Sequence, residues 1–147
     1  MGRACSDRTG RRPAWIPVAA DPNSLDEGWR VLRGRGADVL VLKPMALGGL
    51  RATRELAVAA IDAGLGVVVT SVLDTAVGVA GALHLAASLP GPERAHGLAT
   101  VALLEEAPLD GLDAPHGGEM RLPKGPGLGV ILRKKGSDPF SADEKGI

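Results

Sequence analysis

The sequence predicts an α/β protein built on a parallel sheet, and three observations carry that prediction. Four apolar runs, beginning at residues 16, 38, 66 and 95, alternate with stretches of helical pattern, the rhythm of right-handed βαβ units. The run between Asp38 and Lys43 is continuously apolar, as strands buried on both faces are. Asp21, Lys43 and Ser71 each close a run. In parallel sheets and α/β barrels, that carboxyl-terminal edge is where ligands bind.

The elements follow in order. IPVAAD (16–21) reads as a short strand ending in an acid. SLDEGWRVLRGRG (24–36) reads as a helix: Ser24 is a good N-cap, Glu27 completes a capping box, and Gly34 or Gly36 can close it. DVLVLK (38–43) is the second strand. LRATRELAVAAIDAG (50–64) is helical, with Leu50, Thr53, Ala57, Ala60 and Ile61 on one face. Arg51 and Glu55 lie opposite, spaced to pair along the helix. GVVVTS (66–71) is a valine-rich strand. DTAVGVAGALHLAASLP (74–90) is a third helix, capped by Asp74 or Thr75 and stopped by Pro90. AHGLAT (95–100) is a shorter fourth strand. Beyond residue 104 the rhythm stops. EEAPLDGLDAPHGG is turn-rich, EMRLPKGPGLGVIL suits a hairpin or an extended flap, and RKKGSDPFSADEKGI reads as a frayed tail.

Composition narrows the function. The chain has 147 residues, 45% of them hydrophobic, enough for one domain with a core. Trp15, Trp29 and Phe140 are its only aromatic residues, so Ala, Val and Leu must build that core. Seventeen basic residues balance seventeen acidic ones. Without a positive field or aromatics for base stacking, nucleic-acid binding is not expected. A single cysteine, Cys5, permits neither an internal disulfide nor a thiolate metal site. No run reaches membrane-spanning length, and the N-terminus lacks the apolar stretch of a signal peptide. A cytoplasmic protein with no membrane partner is expected.

Each candidate site residue has a plain alternative. Lys43 suits a desolvated cation facing an anion or a carbon acid, or a strand-end lysine whose head reaches water. Asp21 opens a D-P-N-S stretch that is also good turn chemistry. Ser71 suits a ligand contact or a bond to neighbouring backbone, and Asp74 suits a helix cap. Gly48–Gly49 allows the backbone to approach a ligand near a helix N-terminus, or simply forms a loop. His84, His96 and His116 lack metal-ligand spacing and read as structural, with His96 the one nearest the expected ligand edge. GPGLG (125–129) lacks the spacing and context of a nucleotide loop.

Taken together, PVAAD, LKPMALGGL, VVVTSVLDTAVGVAGALHLAASLP, AHGLAT and the late LPKGPGLGV resemble the C-terminal barrel half of the enolase superfamily. Within its muconate-lactonizing-enzyme-like subgroup, the likeness is greatest to the o-succinylbenzoate synthase family. It covers roughly residues 16 to 132. The resemblance implies the C-terminal half of a (β/α)7β TIM-like barrel, about four parallel strands (the fifth to the eighth) with intervening helices, incomplete as a barrel. Residues 1–14 are then an unassigned segment, 15–104 the partial barrel, 105–132 a connector and extended segment, and 133–147 a flexible tail.

The resemblance also implies roles. Mg²⁺ (or Mn²⁺) would be held by three carboxylates, of which Asp21 is one and the other two are not in this chain. Lys43 would be the sixth-strand lysine, facing a Lys-x-Lys pair that is likewise not in this chain. Gly48, Gly49, Ser71 and Asp74 would lie against a small-molecule carboxylate substrate, and His96–Gly97–Leu98 would end the eighth strand. The family commonly has Asp-Glu-Ser where this chain has Asp21-Pro22-Asn23-Ser24. The implied chemistry is metal-dependent dehydration through an enediolate, a lyase step in menaquinone biosynthesis. A cation stabilises such an intermediate, and a lysine of suitable pKa accepts the proton. N-acylamino-acid racemases and dipeptide epimerases share the pattern and stay open as alternatives. So does a non-catalytic half-barrel that pairs with a complementary N-terminal half. One carboxylate does not hold Mg²⁺, so this chain is expected to be a fragment, inactive alone.

Overall fold

The computed structural model describes residues 17–92, 94–103 and 109–132. Cys5, Trp15, Phe140, the expected tail 133–147 and the start of the first strand lie outside them.

Strand β1 (Ala19–Ala20), helix α1 (Leu25–Gly34), strand β2 (Val39–Leu42), helix α2 (Leu50–Asp62), strand β3 (Gly66–Val69) and helix α3 (Ala76–Ala87) follow one another. The strands form one parallel sheet in the order β1-β2-β3. Ala20 pairs with Leu40, and Val39 through Leu42 pair with Gly66 through Val69. These are the alternating units expected from the sequence.

Local chemistry sets the helix ends. The Ser24 hydroxyl accepts the Glu27 N–H at 3.3 Å, and the Glu27 carboxylate accepts from Asn23 N–H at 2.9 Å. The capping box therefore forms, with its return bond one residue earlier than expected. At the other end neither Gly34 nor Gly36 takes the left-handed conformation; Arg35 does, at φ 49°. Its N–H donates to Leu32 O, and Gly36 N–H donates to Val31 O. Helix α3 is capped by Thr75, whose Oγ1 accepts from Gly78 N–H, and not by Asp74.

The core lies between the sheet and its helices. Leu40 and Leu42 of β2 are fully buried against Leu47 and against Leu56, Ala57 and Ala60 of α2. A second cluster joins Val69 to Val79, Leu83 and Leu98. The buried face of α2 is rotated from the expected one: Leu56 is at its centre, while Leu50 is 39% exposed and laps Gly81 of α3. Helix α1 meets α2 closely, because a Cβ on Gly28 would lie 2.4 Å from Leu56 Cδ2.

Burial along β2 alternates: Leu40 and Leu42 are buried, Val39 and Val41 half-buried. The expected burial on both faces is therefore met on one face and only in part on the other. Helices cover one face of this sheet, and the described residues cover the other only in part.

The fourth expected strand, AHGLAT, is reduced to one parallel bridge between Thr70 and Gly97, followed by a 3-10 turn at Ala99–Leu103. Gly97 N–H donates to Val69 O, and Ser71 N–H donates to Gly97 O. The next ladder donor, Val69 N–H, is taken by His96 Nδ1 at 3.0 Å. A side chain has captured the backbone group that a longer ladder would use.

In the late segment, β4 (Leu109–Asp110) and β5 (Ile131–Leu132) pair antiparallel. His116 and Glu119 exchange backbone hydrogen bonds across Gly117 and Gly118, both at positive φ, as in a type I′ turn. His84 Nε2 lies 3.2 Å from Leu128 O and ties this segment to α3. Among the described residues, no helix is long and apolar enough to cross a membrane.

Candidate functional site at the carboxyl edge of the sheet

Asp21 follows β1, Lys43 follows β2 and Thr70–Ser71 follow β3, so all stand at the same edge of three adjacent parallel strands. Side chains alternate along a strand, which places Lys43 on the face of Val39 and Val41, away from α2. Continuing the β1–β2 register by one residue puts Asp21 beside Val41 on that face. The structure joins the two: Lys43 Nζ donates to Asp21 Oδ2 in an ion pair. The Lys43 side chain is 20% exposed and that of Asp21 49%. The Lys43 side chain is mostly covered, and Asp21, twenty-two residues away in sequence, supplies the counter-charge to its ammonium.

The backbone after Lys43 is tightly held. Lys43 O accepts from both Ala46 and Leu47 N–H, and Gly49 N–H donates to Pro44 O. Leu47 anchors the turn in the core at 1% exposure. Gly48 and Gly49 then take φ of 87° and 106°, and Gly49, with ψ 179°, is the N-cap of α2. That conformation is open essentially to glycine alone. Nothing lies within 4 Å of a Cβ built on Gly49, so Gly49→Ala tests backbone strain without a clash. It is expected to cost about 1–3 kcal/mol, measured by the urea unfolding midpoint. An unchanged midpoint would show that the turn relaxes freely.

Ser71 and Asp74 are engaged within the fold. Ser71 is 9% exposed. Its Oγ lies 2.7 Å from Thr100 Oγ1 and 3.4 Å from Gly97 O, so it locks the end of β3 to the segment after the Gly97 bridge. Asp74 Oδ1 accepts from Thr75 N–H at 2.7 Å. Its carboxylate lies over Gly78, where a Cβ would meet Oδ2 at 2.0 Å.

Reading the sequence residue by residue misses Thr70. The β2–β3 register, continued by one pair, sets Thr70 directly beside Lys43 on the same face, and Thr70 N–H donates to Leu42 O. Its Oγ1 donates to Ser71 O at 3.2 Å, leaving the hydroxyl's lone pairs to accept. Counting by twos from Lys43 across the register is the signal that finds it. The loops at this edge also carry Met45 and Leu73, which are 61% and 66% exposed.

The same parity corrects the placement of His96. It lies on the helix side, next to Leu98 of the core, and lines a cleft at the opposite end of β3 together with Gly66 and Val67. Burial lowers its pKa below the ordinary imidazole value, and protonation would remove the lone pair that Val69 N–H needs. A folded-state pKa below the unfolded one binds fewer protons in the native state. The His96 contribution to stability is therefore complete above about pH 6.5, the unfolded histidine value, and is lost as pH falls through the folded value. Unfolding midpoints between about pH 7.5 and about pH 5 should fall more steeply for the native chain than for His96→Gln. Equal slopes would contradict this.

A divalent cation is not provided for by the described residues: no three His, Cys, Asp or Glu side chains cluster there as a metal site. Asp21 alone, already paired with Lys43, does not make up the octahedral oxygen shell of Mg²⁺.

Comparison with known proteins bears on the family and the fold. The family model described as enolase C-terminal domain-like matches residues 8–136. An o-succinylbenzoate synthase of Thermobifida fusca is 45% identical over 96 residues, which are 64% of this chain and 29% of that protein. One of Mycobacterium tuberculosis is 40% identical over 109 residues, 69% of this chain and 32% of that protein. Among solved structures, the L-Ala-D/L-Glu epimerase of Bacillus subtilis superposes with a TM-score of 0.71 at 28% identity, over 79% of this chain and 33% of its own. Muconate lactonizing enzyme of Pseudomonas putida superposes with a TM-score of 0.71 at 27% identity, over 83% and 34%. The chain thus spans about a third of the length of the curated relatives it matches.

Proposed function

Because the chain belongs to the enolase C-terminal domain-like family, we propose that it forms the later strands of an o-succinylbenzoate synthase barrel, serving menaquinone biosynthesis, and needs the earlier strands for activity. One observation carries the reading: Lys43, pinned by Asp21, stands on the partly uncovered face of the sheet at its ligand-binding edge. The identities of 40–45% to proteins of that name support the choice within the family.

The chemistry suits the pair. Removing a proton next to a carboxylate leaves an enediolate with two negative oxygens. An ammonium already held in place stabilises that charge better than reorienting solvent does. Lys43 supplies the ammonium, and Asp21 holds it in place. Thr70, beside it, donates its hydroxyl proton to Ser71 O, so its free lone pairs suit a donor group of the substrate rather than a carboxylate oxygen. The proton goes to a base on strands outside this chain, and departure of hydroxide from the neighbouring carbon makes the ring aromatic. The metal implied by the family would take Asp21 as one ligand of several. The donors described here do not complete its shell, so no step is assigned to it.

A racemase or epimerase is the second reading, favoured by the likeness to the L-Ala-D/L-Glu epimerase. In it Lys43 would exchange a proton with the substrate carbon. Deuterium entering an N-acylamino acid or a dipeptide from heavy water, with no o-succinylbenzoate formed, would select this reading. In a third, the half-barrel pairs with a complementary chain and catalyses nothing.

The test of the main reading is a dehydration assay with added Mg²⁺ on the purified chain. No turnover is expected alone. Activity should appear when the chain is co-expressed with the first two-thirds of the Thermobifida fusca relative. Turnover by the chain alone near that of an intact synthase would refute the need for other strands.

A further inference from the structure

A cleft of about 840 Å³ opens at the end of the sheet opposite Lys43, between the start of β3 and the C-terminal ends of α2 and α3. Its volume is in the range of small-molecule sites. Its lining is polar and apolar in about equal measure: Val67, Leu89 and Met120 contribute apolar surface, and Arg94, His96 and Glu119 are its polar side chains.

Two of those side chains are set as donors. The Arg94 guanidinium lies over Gly66, where a Cβ would sit only 2.7 Å from Cζ and 2.9 Å from Nη2. The absence of a side chain at 66 is what admits it. Among the described residues, Arg94 has no ion-pair partner. His96 has a fixed tautomer: its Nδ1 accepts from Val69 N–H, so the neutral ring carries its proton on Nε2 and can donate there. A cation and a neutral N–H donor in a cleft that also offers apolar surface suit a single carboxylate attached to an apolar body. Glu119 in the same lining opposes a second negative charge.

We propose that this cleft binds a small amphipathic monocarboxylate, with its carboxylate on Arg94 and His96 Nε2–H and its apolar part against Val67, Leu89 and Met120. The guanidinium matches the carboxylate in geometry and charge. Binding there would reach the sheet through the His96–Val69 hydrogen bond.

The experiment is a titration of the full chain with hexanoate, hexanol and inorganic phosphate, followed by amide NMR at Gly66, Val69 and Gly97. Hexanoate is expected to give saturable shifts at these amides, with hexanol and phosphate each about tenfold weaker, because each lacks one half of the recognition. Arg94→Gln, with its native spectrum as a check on folding, should reduce hexanoate to the level of hexanol. Gly66→Ala, which displaces the guanidinium, should do the same. Lys43→Met should leave hexanoate binding unchanged, which keeps this site distinct from the Lys43 edge. Hexanol binding as well as hexanoate would reduce the cleft to an apolar crevice. Phosphate binding as well would reduce it to surface charge. Either result, an indifferent Arg94→Gln, or shifts confined to the Lys43 edge would overturn the proposal.

Discussion

Lys43→Met is expected to lower dehydration turnover by about a hundred- to a thousandfold, the usual loss on removing one preorganised group that stabilises developing charge. The measurement uses the chain co-expressed with the earlier strands of the Thermobifida fusca relative, comparing native Lys43 with methionine. Methionine keeps the aliphatic stem that packs along the strand end and removes only the ammonium. The substitution also frees Asp21, whose partner in the structure is Lys43. Asp21→Asn in the native background separates the two effects. If Asp21 acts only by holding Lys43, its loss should be smaller than that of Lys43→Met; if it also binds the metal, the two losses should be comparable. Retention of most activity by Lys43→Met would remove the central support for an enediolate-stabilising site.

Leu42→Ala is expected to cost about 3 kcal/mol of stability, a large share of the roughly 5–15 kcal/mol available to a domain. Leu42 is fully buried in one cluster with Leu40, Leu47 and Leu56, and it is joined by the chain to Lys43. The void would form where β2 meets α2, a junction with little freedom to collapse because Gly28 already brings α1 against Leu56. The paired control is Val41→Ala, one residue away on the other face and only half-buried. It should cost less than about half as much, since less apolar surface leaves water there. Urea midpoints of both variants decide the matter. Equal costs would mean that another layer covers the Val41 face in solution.

Much of the fold was legible because it is written in local periodicity. The apolar runs at 38–43 and 66–71, the Ser24–Glu27 cap and the stop near Pro90 depend on residues within a turn or two of one another. Other features were not legible. Which residue at the end of α1 takes the left-handed conformation depended on how the chain leads on to β2, and it is Arg35, just past the helix, rather than a glycine. The fourth strand was curtailed by His96, twenty-seven residues from the N–H it captures. Ser71 looked like a site residue because it ends a strand, yet Thr100 and Gly97 occupy its hydroxyl.

By itself the sequence determined the order of strands and helices, the balance of charge and the placement of Asp21, Lys43, Gly48 and Gly49 at strand or helix ends. Residue type and spacing suffice for these, since each rests on backbone preference and on apolar period. Tertiary structure alone decided which side chains share a face. A shift of one residue in strand register moves every side chain to the opposite side. The pairing of Leu42 with Val69 is what sets Thr70 beside Lys43 and turns Ser71 and His96 away. The Asp21–Lys43 ion pair depends on the same kind of fact: it forms because β1 and β2 lie side by side in parallel, bringing together two strand ends that are distant in the chain.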